Sequence, residues 1–235
     1  MALRPQFSTI IGSIATLALL FAPPAVGQTS IETYVENGVT ITVETTWEAA
    51  PAATAVEFAT VPSSYLARFG PFYVTTPDRA AMAGIVDTPT PRQFVAMLRA
   101  YPGIATLDLI DLPGTYDSDA NLVLARMVRK AGIDTHVPAG GSVRSGGVEL
   151  WLAGARRSAD EGAEFAVHSW EDEYGREATD YAADAPEHQP FLAFYRDVGM
   201  STAEASRFYA LTNSVPFEQA RYLGRSDMAA LHLLN

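Results

Sequence analysis

From Phe69 onward the hydrophobic period of this chain switches repeatedly between that of a strand and that of a helix, and this alternation restricts the fold more than any other feature. The segment 72-FYVTTPDRAAMAGIVD-87 offers one or two strands. In 91-PRQFVAMLRAY-101 a proline leads the first helical turn, where its missing N–H is harmless, and Phe94, Met97 and Leu98 share one face. The nearly continuous apolar run 104-IATLDLIDL-112 reads as a strand and 113-PGTYDSD-119 as a turn. An amphipathic helix follows in 120-ANLVLARMVRKAG-132, closed by Gly132, and then a short strand in 133-IDTHVPA-139. A glycine-rich stretch and another helix complete the series. Strands and helices in this order predict an α/β fold whose strands deliver loops to one edge, where such folds place their sites.

The chain ahead of Phe69 has a different character. Residues 31-IETYVENGVTITVETTW-47 alternate apolar and polar around Asn37-Gly38, the pattern of a hairpin, and 49-AAPAATA-55 is an Ala/Pro linker. The division expected is a small β extension over 28–66 and an α/β domain over 67–235. Arg4, the apolar stretch 8-STIIGSIATLALLFA-22 and the small-x-small triplet Ala25-Val26-Gly27 have the layout of an export signal over 1–27, cleaved near Gly27. The apolar run falls short of the ~20 residues a membrane span needs, and two prolines end it. Contact with a membrane is therefore expected only through an uncleaved signal, and the mature protein is expected in the periplasm or outside the cell. No cysteine follows the apolar run, which excludes a lipoprotein anchor.

Charge and composition remove further classes. The formal net charge is −11, and Lys130 is the only lysine among the sixteen basic residues. Such a chain repels a phosphate backbone, so nucleic acid is not an expected partner. A phosphate-cradling loop needs Gly-Lys-Ser/Thr at its end, which is missing, and the glycines at 140, 141, 146 and 147 lack dinucleotide-binding spacing. His136, His168, His188 and His232 are scattered without cysteine partners, so neither a metal nor a cofactor is expected.

What remains is 139-AGGSVRSGGVELWLAG-154. A strand, then Ser145-Gly146-Gly147, then a helix built on 148-VELWLAGA-155 would expose a serine hydroxyl beside the backbone N–H groups of a helix start. Gly146 would let the backbone approach a substrate, while Val148, Leu150, Trp151 and Leu152 would anchor the helix. The same Ser-Gly-Gly is equally readable as an ordinary helix cap. His168 closes the buried strand pattern of 163-AEFAVHSW-170, one helix and one strand beyond Ser145, so both residues can reach the same sheet edge.

With Ser145 in 145-SGGVELWLAG-154 and His168 in 167-VHSW-170, the sequence resembles the ClpP/crotonase superfamily, and most of all exported Clp-protease-like bacterial proteins. The resemblance also takes in 107-LDLIDLPGTYDSDANLVLARMVRKAG-132, where the family carries an oxyanion loop, and 214-SVPFEQARYLGRSD-227, about residues 80–230 together. It implies a repeated ββα spiral core and a serine hydrolase, with a peptide or protein as substrate. By that resemblance Ser145 is the nucleophile, His168 the general base, and the N–H groups of Gly146 and of Thr115 or Gly114 hold the oxyanion. Thr115 stands where the family has a second loop glycine. The histidine-orienting aspartate should fall near 211-LTNS-214, which holds Thr212 and Asn213 and no carboxylate. Asp172, Asp180 and Asp184 are the alternatives. A Ser–Lys dyad would need Lys130, which instead suits the end of its helix as a cation on the dipole. The residues 140-GGSV-143 imitate the oxyanion loop, with Ser142 as a turn serine. Coenzyme A and an ATPase partner are not expected outside the cytoplasm. Without an aspartate, the second reading is a weak or inactive Clp-like fold that serves as an envelope binding protein. The run 170-WEDEYGREATDYAADAPEHQPF-191 reads as a solvated loop, with a substrate lid as its alternative.

Overall fold

A computed structural model describes residues 29–36, 39–46 and 61–235, and the chain divides into two compact units, Met1–Glu57 and Phe58–Asn235. In the first, β1 (Thr29–Glu36) and β2 (Val39–Thr46) pair antiparallel from Thr29↔Thr46 to Glu36↔Val39. The Asn37-Gly38 turn, the linker at 49–55 and the export signal at 1–27 lie outside the described residues. Among the described residues no helix is long and apolar enough to cross a membrane.

The second unit is mixed α/β on a mostly parallel sheet. It opens on an antiparallel meander of β3 (Ala67–Phe69), β4 (Phe72–Thr76) and β5 (Arg79–Ala83). Helix α1 (Thr90–Ala100) buries Phe94 and Met97, two of the three apolar positions its period predicts. It leads to β6 (Thr106–Leu112), parallel to β5. Helix α2 (Ser118–Ala131) is capped by Asp117, whose carboxylate accepts from Ala120 N, and ends on Gly132 at φ 68°, the left-handed geometry glycine adopts freely. Lys130 sits in its last turn. The chain continues through β7 (Asp134–Val137), β8 (Ser142–Arg144), α3 (Gly146–Leu152), β9 (Arg157–Ala159) and β10 (Glu164–Val167). Helices α4 (Gln189–Asp197) and α5 (Thr202–Thr212), strand β11 (Arg221–Gly224) and helix α6 (Arg225–Ala230) complete it.

The sheet branches at β6, and this positions the site. The first residues of β6 pair in parallel with β7, which passes on to β9. Its last residues pair with β8 instead, Asp111↔Ser142 and Leu112↔Val143. Strand β8 pairs in parallel with β10, and β10 antiparallel with β11. The carboxyl ends of β6, β8 and β10 therefore emerge side by side, delivering Pro113, Ser145 and His168 to one edge. The core between sheet and helices is built on Leu107, Leu109, Leu124, Trp151, Phe165 and Phe194, all fully buried. Trp151 and Phe165 pack with ring centroids 4.8 Å apart, which ties α3 to β10.

Three local readings need correction. Ser142 lies in β8, not in a turn, because its backbone joins the parallel ladder to β6 and β10. The polar stretch 214–227 contains β11, which covers the outer edge of β10. The run 170–191 is anchored at buried Ala178 and His188 through two 3-10 turns, so it is not simply solvated.

Candidate active site

Ser145 occupies the junction from β8 to α3 with φ 50° and ψ −128°. It is one of two described non-glycine residues at positive φ. A residue with a Cβ resists this region, at a cost on the order of 1–3 kcal/mol, and tolerates it only where its surroundings over-determine the geometry. They do so here. Ser145 N–H donates to Ala166 O of β10 at 2.8 Å, and Ser145 O accepts from Val148 N at 2.9 Å. The Ser145 side chain makes no capping bond, so the serine does not serve as the ordinary helix cap. Its hydroxyl is raised off the strand end and left available.

The loop after β6 closes against this turn. Gly114 has φ 137°, and a Cβ there would stand 3.2 Å from Ser145 Cβ, so the glycine supplies both the conformation and the close approach. Its carbonyl accepts from Val86 N at 3.1 Å. The Thr115 hydroxyl shares its one proton between Asp117 O at 2.8 Å and Val86 O at 3.1 Å and accepts from Asp117 N at 3.0 Å, which gives the loop a fixed frame without a second glycine. Room for Thr115 comes from the facing residue: a Cβ on Gly146 would lie 2.6 Å from Thr115 Cγ2. Gly146 begins α3, where N–H groups have no intrahelical acceptor.

His168 directly follows β10. Its Nδ1 lies 2.7 Å from Ser169 O. A carbonyl only accepts, so that contact places the proton on Nδ1 and leaves Nε2 as the lone-pair nitrogen, the tautomer a general base requires. The exposed ring of Phe217 meets the imidazole edge-on with centroids 5.0 Å apart. No hydrogen bond joins Ser145 Oγ to His168 in this structure. Both residues line the same two spaces, an inner cavity of about 50 Å³ and an outer cleft of about 220 Å³. Gly146 and Asn213 line the inner one, Gly114 the outer one, and Thr115 both.

The expected orienting residues are near the histidine but engaged elsewhere. The Thr212 hydroxyl donates to Tyr209 O at 2.9 Å. Asn213 Nδ2 donates to the same carbonyl at 2.7 Å and to Thr212 Oγ1 at 3.1 Å. The acceptor for His168 is instead its neighbour's carbonyl, a backbone group in place of a carboxylate. Asp172 is not the missing aspartate. Desolvation pushes its carboxyl up, but hydrogen bonds from Tyr181 and Arg176 prevail and hold it well below the usual carboxylate range. Asp180 accepts from Glu177 N at 2.8 Å, and Asp184 is exposed.

Several groups of the inner cavity escape a sequence reading. Asn121 of α2 is 2% exposed and its Nδ2 donates to Gly146 O at 2.7 Å, bracing the turn from behind. Glu149 lies one helical turn past Ser145 at 7% exposure and accepts from Tyr195 OH at 2.6 Å. Burial pushes the Glu149 carboxyl up, and burial together with that carboxyl pushes the Tyr195 phenol well up. The signal was there to find: Glu149 is the only charged residue in a segment otherwise made of core side chains. Trp170 and Phe191, stacked with centroids 6.1 Å apart, supply apolar wall. Ser142 belongs to another network, donating to Glu164 Oε1 at 2.9 Å and accepting from Arg144 Nη1 at 2.7 Å. Among the described residues no cluster of His, Asp or Glu could hold a metal ion.

No family model and no curated protein matches the sequence. Among solved structures the chain is similar to a point mutant of ClpP1 from Listeria monocytogenes, at 15% identity over 68% of this chain and 90% of that one, with a TM-score of 0.49. It is similar to the 1510-N membrane protease specific for a stomatin homolog from Pyrococcus horikoshii, at 13% identity over 66% of this chain and 69% of that one, with a TM-score of 0.44. A mutant of the 1510-N stomatin-specific protease in complex with a substrate peptide gives 11% identity, 65% and 73% coverage and a TM-score of 0.43.

Proposed function

We propose that this protein is an exported serine hydrolase of the Clp-like kind that cleaves peptide amide bonds. The observation that carries the reading is the backbone of Ser145: a serine held at φ 50° on a strand-to-helix turn, its hydroxyl uncommitted, with His168 at the end of the adjacent parallel strand. In this reading Ser145 Oγ attacks the substrate carbonyl as His168 Nε2 takes its proton, and the imidazolium then protonates the leaving amine. The N–H of Gly146, with that of Thr115 or Gly114, receives the oxyanion. Ser169 O holds the Nδ1 proton, so Thr212 and Asn213 are not needed to fix the tautomer. A neutral carbonyl stabilises the imidazolium less than a carboxylate does, and turnover is expected to be slow.

The second reading, a weak or inactive fold that serves as a binding or interaction protein in the envelope, is favoured by one observation. The His168 imidazole is held by the carbonyl of Ser169 and makes no bond to Ser145. A fluorophosphonate probe on the mature protein separates the two, with Ser145→Ala and His168→Ala as controls. Labelling that disappears in Ser145→Ala and falls steeply in His168→Ala is expected. Labelling independent of Ser145, or none, sinks the hydrolase reading and leaves the binding one.

A further inference from the structure

The inner cavity beside Ser145 carries polar chemistry that attack on a carbonyl does not use. Among the described residues, two buried side-chain polar atoms have no hydrogen-bond partner, Asn121 Oδ1 and Asn213 Oδ1, and both residues line this cavity. Their orientation is fixed by their other ends. Asn121 Nδ2 donates to Gly146 O and Asn213 Nδ2 to Tyr209 O, both carbonyls, so in each amide the oxygen is the atom left over. A buried acceptor without a donor costs about 1–3 kcal/mol, and each such atom in a folded protein calls for a reason. Two of them, on residues that line one small space next to a strained serine, call for the same reason: a ligand that brings donors.

The rest of the lining narrows the ligand. Neither lysine nor arginine faces the cavity, and Glu149 is its only carboxyl. A carboxylate ligand would bring only acceptors to two acceptors and is excluded. An apolar side chain would leave both oxygens unmet. The space of about 50 Å³ is room for a few water-sized groups, and with Glu149 held neutral by burial it offers no anion to pair with a cationic side chain. Burial favours the neutral form of Glu149, whose O–H can be given to a carbonyl. A primary amide matches all three groups, with two N–H donors for the asparagine oxygens and one C=O for the acid.

We propose that this cavity is a specificity pocket that takes the side chain of glutamine or asparagine at the residue whose carbonyl Ser145 attacks. The proposal rests on the hydrolase reading and adds to it the substrate's chemistry.

The test uses peptidyl diphenyl phosphonates that differ only in the side chain next to phosphorus: glutamine, the apolar near-isostere methionine, and the acidic isostere glutamate. Each is scored by its rate of blocking fluorophosphonate labelling of Ser145 in the wild-type protein. The glutamine compound is expected to react at least tenfold faster than either isostere. Equal rates, or faster reaction with methionine, overturn the pocket assignment while the hydrolase reading stands, and bridging water then satisfies the two oxygens. Faster reaction with glutamate overturns it too. If fluorophosphonate itself leaves Ser145 unlabelled, the hydrolase reading fails and the pocket assignment fails with it.

Discussion

The two ends of β8 differ more than their sequence does. Ser142 and Ser145 stand three residues apart in one glycine-flanked stretch, yet Ser142 has regular strand pairing on both sides and a hydroxyl engaged with Glu164 and Arg144. Arg144 in turn donates to Asp111 Oδ1 at 2.9 Å, so that end is an exhausted polar network. At the other end Ser145 has a strained backbone and an uncommitted hydroxyl, with two unmet amide oxygens and a buried acid behind it. A sequence that specifies one fold makes its local choices agree, and the places where they disagree are where function is sought. The Ser142 end serves stability; the Ser145 end departs from it.

The largest effect should separate the serines directly. Ser145→Ala is expected to abolish probe labelling and to lower hydrolysis by about 10³-fold or more, because removal of the nucleophile leaves only binding and oxyanion stabilisation. Ser142→Ala should leave the rate within about twofold and cost up to ~1 kcal/mol of stability for its exposed hydrogen bonds. A comparable loss in Ser142→Ala would erase the distinction between the two ends. Gly114→Ala comes next. Its Cβ would meet Ser145 Cβ at 3.2 Å in a backbone with φ 137°, so a fall of about 10²-fold is expected from a displaced oxyanion donor. Unchanged kinetics in a folded Gly114→Ala protein would remove that loop from the mechanism.

How far the sequence disclosed all this depends on the range over which each feature is encoded. The helices at 90–100 and 118–131 were legible because amphipathic period, proline and capping residues are local. So was the Ser145 turn, since glycines next to a serine between a strand pattern and a helix pattern are also local. Strand β11 was missed because 221-RYLG-224 is short and mostly exposed, and becomes a strand only through β10. The partner of His168 was missed for a related reason: it is a backbone carbonyl, and backbone groups leave no mark in the residue alphabet. Glu149 follows Ser145 by one turn of α3 and is locally encoded, whereas Asn121 comes from α2 and reaches the cavity only through the packing of α2 beside the β6–β8 edge.

The buried acid sharpens the comparison through pH. The Glu149 carboxyl is raised from 4.5, so between about pH 4.5 and its folded value the native state keeps a proton that the unfolded chain has lost. Fewer protons on the unfolded chain means that stability falls as pH rises through this window, by about 1.4 kcal/mol per pH unit. Glu149→Gln removes the titration while still accepting from Tyr195. Thermal unfolding should then show the variant equal to wild type near pH 4.5 and ~2–4 °C more stable by pH 8 for each kcal/mol of difference. A constant offset across that range would mean that Glu149 does not titrate in this way.

The smallest effect probes the strain itself, by one substitution made at both ends of the strand. Glycine adopts φ 50°, ψ −128° without a Cβ clash, so Ser145→Gly relieves a cost that Ser145→Ala retains. The gain is offset by the greater freedom of glycine in the unfolded chain, and a net increase of about 1 kcal/mol over Ser145→Ala is expected. Both variants lack the nucleophile, so their difference in denaturant midpoint reads backbone strain and not chemistry. At Ser142 the strand conformation is relaxed, and the same change should act in the opposite direction, with Ser142→Gly less stable than Ser142→Ala by roughly 0.5–1 kcal/mol. Opposite signs three residues apart would show that the geometry of Ser145 is maintained against its own preference. If Ser145→Gly is no more stable than Ser145→Ala, the turn is not strained, and the backbone argument that singles out this serine from its neighbour loses its basis.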